Sequence, residues 1–174
     1  MLHPQPQGTP PPDPTAAPSM DERLARWARA RGGRLLVVDD SATNRALITA
    51  LLCKVGFSVE AATGGVEAIH AVANAAIPFD AVLMDVSMPD MDGLTATRRI
   101  RAMSDPPLSN PRGRVPIIAV TAHGFPEDRA RSLAAGMNEH VVKPVRRADL
   151  LAALAGWLDA PDVTGRVRTT NPAP

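Results

Sequence analysis

Short aliphatic runs that stop abruptly on a polar residue recur along this chain, and no other feature constrains its fold as much. Leu35-Leu36-Val37-Val38 ends on Asp39-Asp40, and Ala81-Val82-Leu83-Met84 ends on Asp85. Ile117-Ile118-Ala119-Val120 ends on Thr121-Ala122, and the shorter Val141-Val142 precedes Lys143-Pro144. Runs of this length fall short of a typical helix and do not alternate with polar residues, so they read as strands buried on both faces. Phe57 to Ala61 reads as a further strand.

Helical patterns lie between the runs. Ser41 can cap a helix whose apolar stripe is Leu47, Leu51, Leu52 and Val55, and Gly56 closes it. Gly64-Gly65 leads into a short helix over about Val66–Asn74 that uses Ala68, Ile69 and Val72. Two more span about Thr95–Met103 and Glu127–Ala135, the second stopping at Gly136. A last one, about Arg147–Leu158, carries Leu150, Leu151, Leu154 and Trp157. Strand–helix alternation predicts parallel strands joined by right-handed crossovers, an α/β doubly wound sheet with helices on both faces.

Outside this pattern the composition changes. Residues 1–20 are dominated by Pro and read as a disordered tail, because they cannot bury enough apolar surface to offset the entropy of ordering. Residues 21–33 form a basic linker in which Leu24, Trp27 and Ala28 fall at helical spacing; the expectation is a solvated helix with its Trp laid on the domain. The folded domain is expected over 34–159, followed by a flexible tail over 160–174. With aromatics at 3% and no Tyr, the core must be aliphatic. A net charge of +1 gives no argument for nucleic acid, and no apolar run is long enough to insert in a membrane as a helix. The single Cys53 excludes an internal disulfide and a Cys-based zinc site. A cytoplasmic location is the expectation.

In a parallel sheet the carboxyl ends of all strands share one edge, where open α/β sheets bind ligands. Asp39, Asp40, Asp85, Thr121 and Lys143 therefore converge. Three carboxylates together repel one another without a cation, and hard oxygen ligands with no His or Cys suit Mg²⁺. Transfer of a phosphoryl group demands positioning and neutralisation of its equatorial oxygens, which Mg²⁺ and the Lys143 ammonium can supply. The Thr121 hydroxyl and the Ala122 N–H can donate to a third oxygen. Asp85 is then the nucleophile and becomes an acyl phosphate.

At these residues the chain resembles a receiver domain of the two-component response-regulator family. LLVVDDSATNR, AVLMDVSMPDMDGL, PIIAVTA and AAGMNEHVVKP match its signature blocks in order and spacing, from about Arg34 to Leu158. The resemblance implies a flavodoxin-like sheet of strand order 2-1-3-4-5 with Asp85 as phosphoacceptor. Asp40, Asp85 and the Ser87 carbonyl would bind Mg²⁺, with Asp39 acting mainly through water. Thr121 would be the switch hydroxyl and Lys143 the phosphate-binding lysine, and Lys143-Pro144 would be a cis peptide. His140 stands where the family usually has Phe or Tyr, so the switch here is a smaller, titratable side chain or an ordinary surface His. Ser87 and His123, two residues beyond Asp85 and Thr121, would tune the rate of hydrolysis.

Two roles follow from the resemblance. One is a single-domain response regulator, a phosphorylation-controlled binding module with slow autodephosphorylation and, with the chain ending soon after Leu158, no output domain. The other is a phosphorelay receiver of a hybrid sensor histidine kinase, which the Pro-rich lead, Asn44-Arg45, MPDMDG and the long loop before the fourth strand resemble. Either takes phosphoryl groups from a histidine kinase or histidine-phosphotransfer protein and reports to an unidentified protein partner. Association would be monomeric or weakly dimeric through the fourth helix, fifth strand and fifth helix, where Arg131, Arg146, Arg147 and Asp149 are expected. An unphosphorylated scaffold conflicts with the intact acidic and Lys positions. A calcium loop at Asp90-Asp92-Gly93 fails because Met88 and Arg99 occupy required acidic positions, and a haloacid-type hydrolase fails because Ser87 stands where its second Asp belongs. Asp90 and Asp92 read as turn residues, Met84, Met88 and Met91 as packing, Cys53 as a structural thiol and His70 as a surface residue.

Overall fold

The structure, a computed structural model, describes residues 18–103 and 114–158. Residues 1–17 of the expected N-terminal tail, the expected tail over 160–174 and nearly all of the Pro/Gly-rich loop before the fourth strand lie outside the described residues, whereas Ser19 and Met20, expected in the tail, cap and open the first helix. In chain order the elements are α1 (Met20–Arg31), β1 (Arg34–Val38), α2 (Ala42–Val55), β2 (Ser58–Ala62), α3 (Gly65–Asn74) and β3 (Ala81–Asp85). They continue with α4 (Gly93–Ala102), β4 (Ile117–Thr121), α5 (Pro126–Ala134), β5 (Glu139–Val142) and α6 (Arg147–Trp157). All strand pairs are parallel and the sheet order is β2-β1-β3-β4-β5, as expected.

Each central strand is buried on both faces, and its side chains divide between two apolar layers with the period of two that a pleated strand imposes. Leu35, Val37, Leu83, Ile118 and Val120 face α1, α2 and α6. Leu36, Val38, Val82, Met84, Ile117 and Ala119 face α3 and α4. The core is aliphatic as the composition requires, with Phe57 and Trp27 at one margin.

The basic segment at the start of the domain is a well-capped helix. Ser19 and Glu22 form a reciprocal capping box at its N-terminus, and Gly32 ends it in the left-handed conformation. Leu24, Trp27 and Ala28 are buried against the domain, with the Trp27 ring 6.0 Å from that of Phe57. Arg147 of α6 donates to Asp21 Oδ2 at 2.6 and 3.0 Å. Arg147, expected on a free interaction face, is thus engaged by α1.

Several apolar residues sit differently from expectation. The inward stripe of α2 runs through Ile48, Leu52 and Val55, whereas Leu47 is 50% exposed. Leu47 lies one residue, about 100° of helix rotation, off that stripe. Cys53 is exposed rather than packed. Trp157 is partly exposed because α6 buries Leu150, Leu151 and Leu154 and turns the next residues outward. His70 is exposed, Met84 and Met88 are buried, and Met91 is half-buried, all as expected.

Candidate functional site at the carboxyl edge of the sheet

The site is built from strand ends. β3 delivers Asp85 between β1 and β4, with Asp85 paired in register to Val120 and Val86 N donating to Val120 O at 3.0 Å. Asp39 and Asp40 follow β1 directly, and Asp39 N extends the ladder to Ala62 O at 3.3 Å. Lys143 follows β5 and is tied to the β4 end by a 2.7 Å bond from its N–H to Thr121 O. Lys143-Pro144 is cis, as the resemblance implied.

A backbone contact explains the glycine that opens α4. Gly93 N donates to Val86 O at 3.0 Å, and a Cβ on Gly93 would stand 2.1 Å from the Asp85 carbonyl oxygen. Only a residue without Cβ lets α4 start this close to the end of β3. Asp92, just before it, caps α4 by accepting from Thr95 N at 2.6 Å, and this bond holds its pKa below the usual carboxylate range. Asp90 adopts φ 61°, a turn conformation that Asp tolerates.

Asp39, Asp40 and Asp85 each offer a carboxylate oxygen, and these atoms lie within 4.8 Å of one another. Asp39 and Asp85 are buried, whereas Asp40 is exposed at the mouth. Lys143 Nζ bridges the buried pair, 2.7 Å from Asp85 Oδ2 and 2.8 Å from Asp39 Oδ2. Asp85 Oδ1 accepts from Ser87 N at 3.1 Å. Burial raises the Asp85 pKa; the Lys143 and Ser87 hydrogen bonds oppose the rise without cancelling it, and the Asp39 charge adds to it. Burial works against the charged form of Lys143, yet its bonds to Asp39 and Asp85 outweigh this and raise its pKa.

Thr121 is buried at the end of β4, and its Oγ1 accepts from His123 N at 3.2 Å. Ala122 and His123 are exposed beside it, with the His123 ring stacked on Phe125 at 6.2 Å. His140 lies on β5 farther from the carboxylates, half-buried, with Nδ1 accepting from Arg129 Nε of α5 at 3.2 Å. A cavity of about 230 Å³ opens between the β3 and β4 ends and α5, lined in part by Ser87, Thr121, His123 and Ser132.

The donor set fits a hard divalent cation. Among the described residues, Lys143 is the one cationic group paired with these carboxylates, so negative charge is in excess. The oxygens are carboxylates with no imidazole or thiolate among them, the chemistry Mg²⁺ selects.

Two polar residues at the site have no place among those anticipated for its chemistry. Asn44 and Arg45, in the first turn of α2, both bond Asp39, the first through the carboxylate and the second through the backbone carbonyl. Their position just after the acidic pair was the available signal; which way they turn was not.

A doubly wound parallel sheet with clustered carboxylates and a lysine at its carboxyl edge defines a ligand-binding α/β domain of the flavodoxin-like kind. The chain belongs to the response regulator receiver domain family, whose pattern matches residues 35–155. It is 38% identical over 145 residues to the sensor protein GacS of Pseudomonas syringae pv. syringae, a match covering 83% of this chain but 15% of that protein. The chain thus spans a small fraction of the curated relative it matches. The receiver domain of a sensor histidine kinase of Pseudomonas aeruginosa PAO1, with magnesium coordinated in its active-site cleft, superposes with TM-score 0.62 at 38% identity, over 72% of this chain and 97% of that one. The Saccharomyces cerevisiae co-crystal of the histidine phosphotransfer protein Ypd1 with the receiver domain of Ssk1 gives a TM-score of 0.65 at 26% identity, over 72% of this chain and 88% of that one. The described domain is a receiver domain of two-component signalling, homologous to those of hybrid histidine kinases and phosphorelays.

Proposed function

We propose that Asp85 accepts a phosphoryl group from a phosphohistidine donor, in the presence of Mg²⁺, and that the modified domain changes its affinity for a protein partner. The observation that carries this reading is the lysine bridge. Lys143 Nζ is held at 2.7 and 2.8 Å between two buried carboxylates at the edge where ligands of such sheets bind. In the transfer, a carboxylate oxygen of Asp85 forms the new O–P bond as the P–N bond to the donor imidazole breaks, and the imidazole leaves with the electron pair of that bond. Asp40, Asp85 and the Ser87 carbonyl would hold Mg²⁺, with Asp39 acting mainly through water, and the ion when bound would offset negative charge on the carboxylates and the phosphoryl oxygens. Lys143 turns from the carboxylates to one phosphoryl oxygen; the Thr121 hydroxyl and the Ala122 N–H donate to another.

Thr121 has room to turn because the cavity beside it is lined by its own side chain. Ser87 and His123 flank the same opening and govern entry of the hydrolytic water. His140 answers the movement of Thr121 through its bond to Arg129 rather than by the swing of a phenyl ring. The expected compartment is the cytoplasm.

The likeness to hybrid sensor kinases favours a second reading of role, in which the domain passes its phosphoryl group on in a relay. One experiment tests both. The protein is incubated with Mg²⁺ and acetyl phosphate beside Asp85→Asn, and a histidine-phosphotransfer protein is then added. Mass addition on the wild type alone is expected. Absence of an aspartyl phosphate with any donor overturns the proposal, while rapid reversible exchange with the phosphotransfer protein selects the relay role.

A further inference from the structure

Asn44-Arg45 was singled out in the sequence without a chemical role, and the geometry supplies one. Asp39 is 1% exposed, so each of its carboxylate oxygens needs a donor from the protein. Oδ1 accepts from Ser41 N at 2.8 Å and from Asn44 Nδ2 at 3.2 Å. Oδ2 accepts from Lys143 Nζ at 2.8 Å and, again at 3.2 Å, from the same Asn44 amide. Arg45 Nη1 fixes the Asp39 backbone from the other side by donating to its carbonyl at 2.6 Å. Lys143 is thus shared between two buried carboxylates, whereas Asn44 serves Asp39 among the site's carboxylates.

We propose that Asn44 is a positioning residue that holds the Asp39 carboxylate so that Lys143 can leave it for an anion on Asp85. This rests on Asp85 being the phosphoacceptor. When Lys143 swings to a phosphoryl oxygen, Asp39 Oδ2 loses its ammonium donor and the Asn44 amide becomes its remaining side-chain donor. Without that amide, the shift would strand a buried carboxylate oxygen, so Lys143 stays with Asp39 and the anion loses its cation. The amide is suited to this because it is neutral. It donates to Asp39 in both arrangements and does not itself compete for the anion. A lysine or arginine in its place would draw the phosphoryl group off line.

A merely structural role for Asn44 would weaken every ligand alike, and the proposed role does not. Mg²⁺ alone leaves the lysine bridge in place, whereas a phosphoryl analogue draws Lys143 away. The test measures two affinities by calorimetry on the full chain: Mg²⁺ alone, and beryllofluoride in saturating Mg²⁺. For Asn44→Ala, Mg²⁺ affinity is expected to stay within about twofold of wild type, while beryllofluoride affinity falls about tenfold, the worth of a hydrogen bond to a charged group. Asn44→Gln keeps an amide donor and should recover most of the loss, which also covers the case of an unfolded Ala variant. In a Lys143→Ala background, Asn44→Ala should have no further effect on beryllofluoride. Equal loss of both affinities, unchanged beryllofluoride binding, or additive losses in the double variant would overturn the role of Asn44 alone. Failure of the wild type to bind beryllofluoride with Mg²⁺ and to form an aspartyl phosphate would overturn the phosphoacceptor reading, and this role with it.

Discussion

The two ends of the sheet both bury polar groups, and they do so with opposite balance. At the amino end, Arg101 reaches from α4 and donates to Gly136 O at 2.9 Å, Val115 O at 2.8 Å and Asn138 Oδ1 at 2.8 Å. Asn138 Oδ1 also accepts from Ile117 N at 2.8 Å, and Asn138 N donates to Ile117 O at 2.7 Å. Burial pushes the Arg101 pKa down to about 10, so it remains charged at neutral pH, with these neutral acceptors among its partners. Arg34 and Asp80 close the neighbouring corner, with Arg34 N donating to Asp80 Oδ2 at 2.7 Å and Asp80 N to Arg34 O at 2.8 Å. At the carboxyl end, three carboxylates cluster and a single ammonium bridges two of them. A buried polar network whose donors and acceptors match is a fastening; one with surplus charge is a site waiting for a ligand.

The largest effect is expected for Asp85→Asn, which removes one of the surplus charges of the carboxyl end. It should abolish phosphoryl incorporation, as read by intact mass after acetyl phosphate, and yet raise metal-free stability at neutral pH by about 1 kcal/mol. The sign follows from the raised pKa of Asp85 in the fold, which penalises the ionised form above that pKa. As pH falls through it the penalty disappears, so the stability gap between the two proteins should close in acid. Urea unfolding across pH checks this, and a less stable Asp85→Asn at neutral pH would contradict it.

Gly93→Ala keeps every charge but forces a Cβ toward the Asp85 carbonyl. Relieving that overlap shifts the phosphoacceptor by about 1 Å, which should slow phosphorylation by about 100-fold. Rates against acetyl phosphate concentration would show it as a loss of rate rather than of saturation alone. Arg101→Met should do the reverse. Removing the guanidinium leaves buried acceptors unmet and should cost about 3 kcal/mol in urea unfolding. The stabilisation gained on adding Mg²⁺ should be unchanged, since that end of the sheet holds no part of the site.

The smallest effect is expected at Asp92. Asp92→Ala removes a helix cap and should cost about 1 kcal/mol. Because the Asp92 pKa is lowered in the fold, its contribution is present above the unfolded value and is lost as pH falls through the folded one. The wild type and Asp92→Ala should therefore converge in stability at low pH.

The carboxyl end was far more legible in the sequence than the amino end. Its residues stand at the ends of apolar runs, and parallel topology alone brings such ends together. Arg101 gave no comparable signal, because an arginine in the last turn of an amphipathic helix reads as solvated. Only the approach of the loop after α5 turns it into a buried donor. The register of α2 is ambiguous in the same way: Leu47 and Ile48 both suit an apolar stripe, and the layer that holds Leu35 and Val37 takes in Ile48. The basic segment before β1 carried its helical spacing plainly, yet its burial against α2 and α6 depends on a groove that those helices create.

What the chain determined by itself was therefore the alternation, the strand order implied by family resemblance, and the set of residues at one edge. Those properties follow from local periodicity and from the fixed direction of parallel strands. Tertiary structure decided how the charges are shared. Lys143 lies 58 residues from the Asp85 it binds, and its Nζ settles between two carboxylates rather than on one. Asn44 turns its amide onto Asp39 instead of into solvent. Side-chain direction at that range depends on which neighbours remain unsatisfied once the sheet has closed, and no local pattern encodes it.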